Sequence, residues 1–178
     1  MQNKIGINKL IYKGFTLIEL LVTLSVASIL LSVAAPSYRG FVQDSLLVAQ
    51  SNSFSSAIAL AKSEAIKRSG RATICPSTNS TSCTGGVVWS NGWIVFADTN
   101  SNGAVDADEQ ILHVGAALSG GNMLSGSKSR ITFTANGFSM GSNDTFSLCD
   151  SRGAAYSKKI ILNNQGRLRF ETGPGTCS

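Results

Sequence analysis

The chain has 178 residues, of which 43% are hydrophobic and 14% charged, too apolar for intrinsic disorder and long enough for one domain plus an N-terminal helix. The formal charge is +5, but residues 1–14 hold Lys4, Lys9 and Lys13 and no acid, so the remainder carries only +2. A balance that mild does not by itself demand a nucleic-acid partner.

The first element is an apolar run from Phe15 to Ala35, 21 residues in which Glu19 is the only charge. As a helix at ~1.5 Å per residue it is ~31 Å long, the thickness of a bilayer's hydrocarbon core. An acid at that depth costs roughly 2.5–3.5 kcal/mol and needs a functional reason. No Lys or Arg lies within the run to pair with Glu19. A cut after Gly14 would create one: the new amino group of Phe15 is a cation about one turn from Glu19, or opposite the Glu19 of a neighbouring chain. An ordinary signal peptide is the competing reading. The basic start and Ser32-Val33-Ala34-Ala35 support it, while Pro36 and the embedded Glu19 oppose it.

These residues, a basic leader ending in Gly14 and then Phe15-Thr16-Leu17-Ile18-Glu19-Leu20-Leu21, resemble a type IV pilin or pseudopilin precursor. The resemblance implies cleavage after Gly14 by a prepilin peptidase, N-methylation of Phe15, and a role for Glu19 in docking the subunit among other major and minor pilins. It implies residence in the inner membrane before assembly, and in an extracellular pilus or the periplasm afterwards.

Beyond Pro36, which should kink or locally open a helix, Leu47, Phe54, Ile58, Ala61 and Ala65 recur on one face of a 3.6-residue period. Gln43, Asn52, Ser56, Ser63 and Lys67 mark the wetter side, and Ser69-Gly70 is the expected stop. A helix from Phe15 to about Arg68 would be roughly 80 Å long. The period then changes to two. Strands are expected at 71–75, 93–97, 110–114, 130–135, 138–140, 145–149, 158–162 and 167–170, with Ser119–Ser129 as a connector and Asn136-Gly137 as a hairpin turn. The expected fold is α+β: a leader (1–14), a long helix (15–69, spanning a membrane over 15–35) and a C-terminal antiparallel β-rich domain (70–178).

The second half resembles the minor pseudopilins of the GspH/FimT/FimU group. Lys62-Ser63-Glu64-Ala65, Gly92-Trp93-Ile94-Val95-Phe96, Cys149-Asp150-Ser151-Arg152-Gly153 and Gly166-Arg167-Leu168-Arg169 carry the likeness. It implies a scarce, non-enzymatic subunit at or near a filament tip, in a type IV pilus or a type II secretion pseudopilus.

Three constellations could hold a ligand. Cys75, Cys83, Cys149 and Cys177 all follow the membrane segment, and an even count in an exported chain suggests two disulfides. Three pairings are possible. Cys75–Cys83 and Cys149–Cys177 are favoured, the first closing a polar loop and the second pinning the tail, while zinc is disfavoured because His113 is the only histidine. Asp98, Asn100, Asn102, Gly103, Asp106 and Glu109 fit a calcium-loop pattern, although the same residues build ordinary turns. Arg167 and Arg169 alternate with Leu168 and Phe170. With the apolar pair on the core, both arginines would face solvent ~6.5–7 Å apart, a spacing suited to phosphates or carboxylates. Arg152, Lys158 and Lys159 lie nearby in sequence, so DNA is a possible partner, and the FimT branch implies one through such a segment.

No catalytic residue is assigned and no cofactor is expected. Gly137-Phe138-Ser139-Met140-Gly141 has the letters of a nucleophile elbow but falls on the expected hairpin.

Overall fold

The structure, a computed structural model, describes residues 14–177; the expected leader lies, apart from Gly14, outside the described residues. One helix, α1 (Leu17–Lys67), runs unbroken through Pro36. The proline removes one ladder hydrogen bond, and the surrounding turns hold without it. The chain forms two units, one ending at Phe41 and the other beginning at Val42. In the first, every described side chain from Gly14 to Arg39 is exposed, and the helix there is long and apolar enough to cross a membrane. The second unit contains the rest of α1 and all the strands.

α1 stops at a paired turn. Gly70 donates its N–H to the Ala65 carbonyl (3.1 Å) and Ser69 donates to Ile66 (3.1 Å), with Ser69 at φ 50°. This is a Schellman closure with a serine in the left-handed position that glycine usually fills.

Two four-stranded antiparallel sheets follow. The first has the order β3-β2-β1-β5, built from β1 (Ala72–Pro76), β2 (Trp93–Ala97), β3 (Ile111–Gly115) and β5 (Ile131–Phe133). The second has the order β4-β6-β7-β8, from β4 (Met123–Ser125), β6 (Asp144–Cys149), β7 (Lys158–Leu162) and β8 (Leu168–Thr172). Within this unit, the buried side of α1 supplies Leu47, Phe54, Ile58, Ala61 and Ala65. They share one core with Ile74, Trp93 and Val95 of the first sheet and with Leu124, Phe146, Leu148 and Ile160 of the second.

β1 and β2 are buried on both faces. Ile74, Trp93 and Val95 face the main core, while Cys75, Ile94 and Phe96 form a second small cluster with Cys83, Val105 and Ile111. That explains why β2 reads as an uninterrupted apolar run rather than an alternation. The Cys75–Cys83 disulfide folds its loop onto this outer cluster, and Cys149–Cys177 ties the tail to β6. All four thiols are therefore tied up and none is left for zinc.

Two expected elements differ. Residues 138–140 form no strand. The Asn136-Gly137 turn closes as expected, with Gly137 at φ 73° and Thr134 N–H bonded to the Phe138 carbonyl (2.9 Å). Ser139 then turns away, donating its N–H to Asn164 O (2.9 Å) and its hydroxyl to Asn163 O (2.8 Å). The fully buried Ser139 hydroxyl is thus a structural clasp, and the nucleophile-like lettering is accounted for. The connector 119–129 contains β4, whose three residues pair with β6 in register Met123↔Cys149, Leu124↔Leu148, Ser125↔Ser147.

Candidate functional site

At the start of α1, Gly14, Phe15 and Glu19 are all exposed. Thr16 caps the helix, its hydroxyl accepting the Glu19 N–H at 3.3 Å. Glu19 is therefore the third residue of the first turn, in a Thr-x-x-Glu arrangement. A carboxylate there faces unpaired backbone N–H groups and the positive end of the helix dipole, worth typically ~0.3–1 kcal/mol. The counter-charge argument missed this role of Thr16, though the spacing Thr16-Leu17-Ile18-Glu19 was its signal. The first turn thus carries the chain's acid at its third position, ahead of a continuous exposed apolar surface.

The loop 98–109 closes on itself. Glu109 Oε1 accepts from Thr99 N–H (2.7 Å) and Thr99 hydroxyl (3.2 Å), and its Oε2 accepts from Asp106 N–H (3.3 Å). Asp106 Oδ2 takes both side-chain amides, Asn100 at 2.6 Å and Asn102 at 2.7 Å. Those two hydrogen bonds hold the Asp106 carboxyl below its ordinary pKa. Asp98 Oδ2 accepts from the Thr73 hydroxyl (2.8 Å) and Oδ1 from Gly103 N–H (3.3 Å). The carboxylates accept from N–H and O–H donors of the loop itself and, for Asp98, from the Thr73 hydroxyl of β1. Among the described residues no group of acids, histidines or cysteines is placed to hold a metal ion. The calcium-like spacing is a hydrogen-bonded knot that lays Val105 over the outer cluster.

The five candidate DNA-binding cations do not form one patch. Phe170, expected on the core beside Leu168, is 54% exposed because β8 is the last strand of its sheet and, among the described residues, no strand pairs with its outer edge. Arg169 and Lys159 both reach Glu171, at 3.1 and 3.4 Å. Lys158 and Lys159 are consecutive on β7 and so point to opposite faces. Arg167, just before β8, is exposed and makes no ion pair among the described residues. Gly166 beside it (φ 70°) could not carry a side chain, since a Cβ would come 2.5 Å from Gly137 O. Lys62 of α1 donates to the Gly166 carbonyl at 2.9 Å. Two of the quoted motifs are therefore halves of one packing contact.

Arg152 is the most constrained of the five. Its Nη2 bridges Asp44 of α1 and Asp150, both at 2.7 Å, and its guanidinium lies 4.4 Å from the Tyr156 ring centre. Burial of Asp150 opposes its charge, but the hydrogen bonds and charge of Arg152 outweigh that and hold its pKa below the usual carboxylate range. The Arg152 pKa is raised in turn, first by Asp150 and then by Asp44. A carboxyl with a depressed folded pKa adds stability that is complete above its unfolded value of ~3.9 and is lost as pH falls through the folded value. Arg152→Gln should therefore cost ~1–3 kcal/mol at neutral pH, by stranding the buried Asp150 carboxylate. The gap from wild type should narrow below about pH 4 as that carboxylate is protonated. Thermal melts across pH check this; parallel curves for the two proteins would contradict it.

The family described as "Type II transport protein GspH" matches residues 50–166. The chain belongs to the GspH family. A second description, "Prokaryotic N-terminal methylation motif", matches residues 11–35, across the Gly14–Phe15 junction and the apolar run. No curated protein matches this GspH-family chain in sequence. Among solved structures, the type IV minor pilin FimU of Pseudomonas aeruginosa is 18% identical with a TM-score of 0.62, covering 78% of this chain and 99% of that one. A second crystal form of FimU gives 0.56 over 72% and 97%. The minor pseudopilin EpsH of the Vibrio cholerae type 2 secretion system is 13% identical, with a TM-score of 0.49 over 69% and 94%. At 18% identity the likeness to FimU is one of fold. It is the expected fold, a long helix joined to antiparallel sheet.

Proposed function

We propose that this chain is a non-enzymatic minor subunit of a type IV pilus, incorporated at or near the tip to support assembly. A prepilin peptidase cuts after Gly14 and Phe15 is methylated. The helix from Phe15 to Ala35 holds the subunit in the inner membrane until it joins other major and minor pilins outside. The observation that carries this reading is the first helical unit: an exposed apolar surface with one acid, Glu19, in its first turn. That arrangement is costly as a mere membrane anchor and reasonable as a docking device. The methylation-motif match supports the processing step. Mass spectrometry of the subunit in sheared filaments tests it, and N-methylated Phe15 is the expected first residue. A mature chain beginning at Ala35 or Pro36 would sink the reading, because Glu19 would have left with the leader.

The family description favours one second reading, a pseudopilus of type II secretion with a periplasmic location. Deletion of the gene separates the two by whether pili or enzyme secretion is lost. A role in DNA uptake draws little support from the C-terminal cations, since Arg152, Lys159 and Arg169 already face in-chain carboxylates.

A further inference from the structure

The structure gathers a set of cations other than those near the C-terminus. An open groove of about 620 Å³ beside β1 and β5 is lined by Arg71, Lys128 and Arg130, together with the hydroxyl residues Ser101, Ser129 and Thr132. None of the three cations makes an ion pair among the described residues. The single acid of the lining, Asp98, is 1% exposed, and both its oxygens already accept hydrogen bonds from Thr73 and Gly103. The groove thus carries an uncompensated positive charge.

The cations are also held in place. The buried carboxylate of Asp144 accepts Ser127 N–H at 2.8 Å and Lys128 N–H at 2.9 Å, while the buried Trp89 indole donates to the Lys128 carbonyl at 3.3 Å. The Lys128 backbone is therefore gripped from both sides. Arg130 rests on the calcium-like loop, its guanidinium against Gly103; a Cβ at Gly103 would come 2.7 Å from Arg130 Cζ. That loop acts as the wall that supports an arginine.

We propose that this groove docks an extended acidic segment of a protein partner, read through its carboxylates. Two arginines offer planar donor forks that match carboxylates, and the lysine adds a point charge. Among the described residues, no aromatic side chain lines the groove. Sites for single-stranded nucleic acid combine cations with aromatic stacking platforms, so the lining favours a peptide. This site is separate from the membrane helix, and its failure would leave the processing and filament reading untouched.

The test uses the full chain in non-ionic detergent micelles and a fluorescein-labelled hexaglutamate peptide, read by anisotropy at low ionic strength. Saturable binding is expected, weakening with added salt. Arg130→Gln and Lys128→Gln should each weaken it about 3–5-fold, with thermal melts confirming that both variants stay folded. Arg167→Gln/Arg169→Gln should leave it unchanged. No binding at millimolar peptide, an equal loss in the Arg167/Arg169 variant, or tighter binding of oligo-dT than of hexaglutamate would each overturn the proposal.

Discussion

Phe54→Ala should remove ~3–5 kcal/mol of stability from the second unit, as expected for deleting a fully buried ring and leaving a cavity. Phe54 sits where three aromatics meet. Its ring centre is 5.3 Å from Trp89, 5.1 Å from Trp93 and 5.0 Å from Phe146, each in an edge-on arrangement. Those partners come from the first sheet, the second sheet and the segment between β1 and β2, and Phe54 comes from α1, so one side chain joins every layer of the core. Edge-on aromatic pairs add ~0.5–1.5 kcal/mol beyond their buried area. Domains are stable by only ~5–15 kcal/mol, so the loss would leave this one marginal. Urea unfolding followed by tryptophan fluorescence reads it directly, since both tryptophans, Trp89 and Trp93, touch Phe54. Phe170→Ala is the contrast: the same residue type, half exposed on an edge strand, should change stability by less than ~0.5 kcal/mol. Equal effects at the two positions would mean the core is not built around Phe54.

Glu19→Ala should separate membrane residence from filament membership. Losing the acid removes a cost of roughly 2.5–3.5 kcal/mol for a charge in the apolar phase, so the variant should be at least as well retained in the inner membrane. In the proposed docking it also removes the partner of the Phe15 amine. Incorporation into sheared filaments should fall by tenfold or more, the equivalent of ~1.4 kcal/mol. Immunoblots of membrane and filament fractions measure both quantities. Glu19→Gln retains a polar group in the first turn but not the charge, so it distinguishes helix capping from ion pairing. Filament levels like those of wild type in both variants would end the idea that Glu19 docks the subunit.

Much of this architecture is legible in the chain, and the reasons are specific. Phe54, Ile58, Ala61 and Ala65 are read as one helix face because α1 has a wet side, with Asn52, Ser56 and Ser63, to contrast with it. β7 is legible because its residues have both strand propensity and turn residues at each end. β8 misleads because alternation shows which side chains share a face but not whether anything covers that face; Phe170 shares its face with the buried Ile160 and is still half exposed. β4 hides in a Gly/Ser-rich stretch, since three residues are too few for a period. The groove is the hardest case. Arg71, Lys128 and Arg130 lie on two separate segments, and only the pairing of β1 with β5 brings them together. Asp98–Glu109 shows the converse problem: the calcium-like spacing is present, but the amide groups of Asn100 and Asn102 turn toward Asp106.

The Lys128 peptide group joins two otherwise unrelated regions, the interior through the Trp89 ring and the outer charge display through its own ammonium group. Loosening that ring would release one of the two holds on the Lys128 backbone. A subunit that arrives half-formed cannot show the same electrostatic face as a finished one, and a molecule reading that face would in effect be inspecting the fold before admitting it.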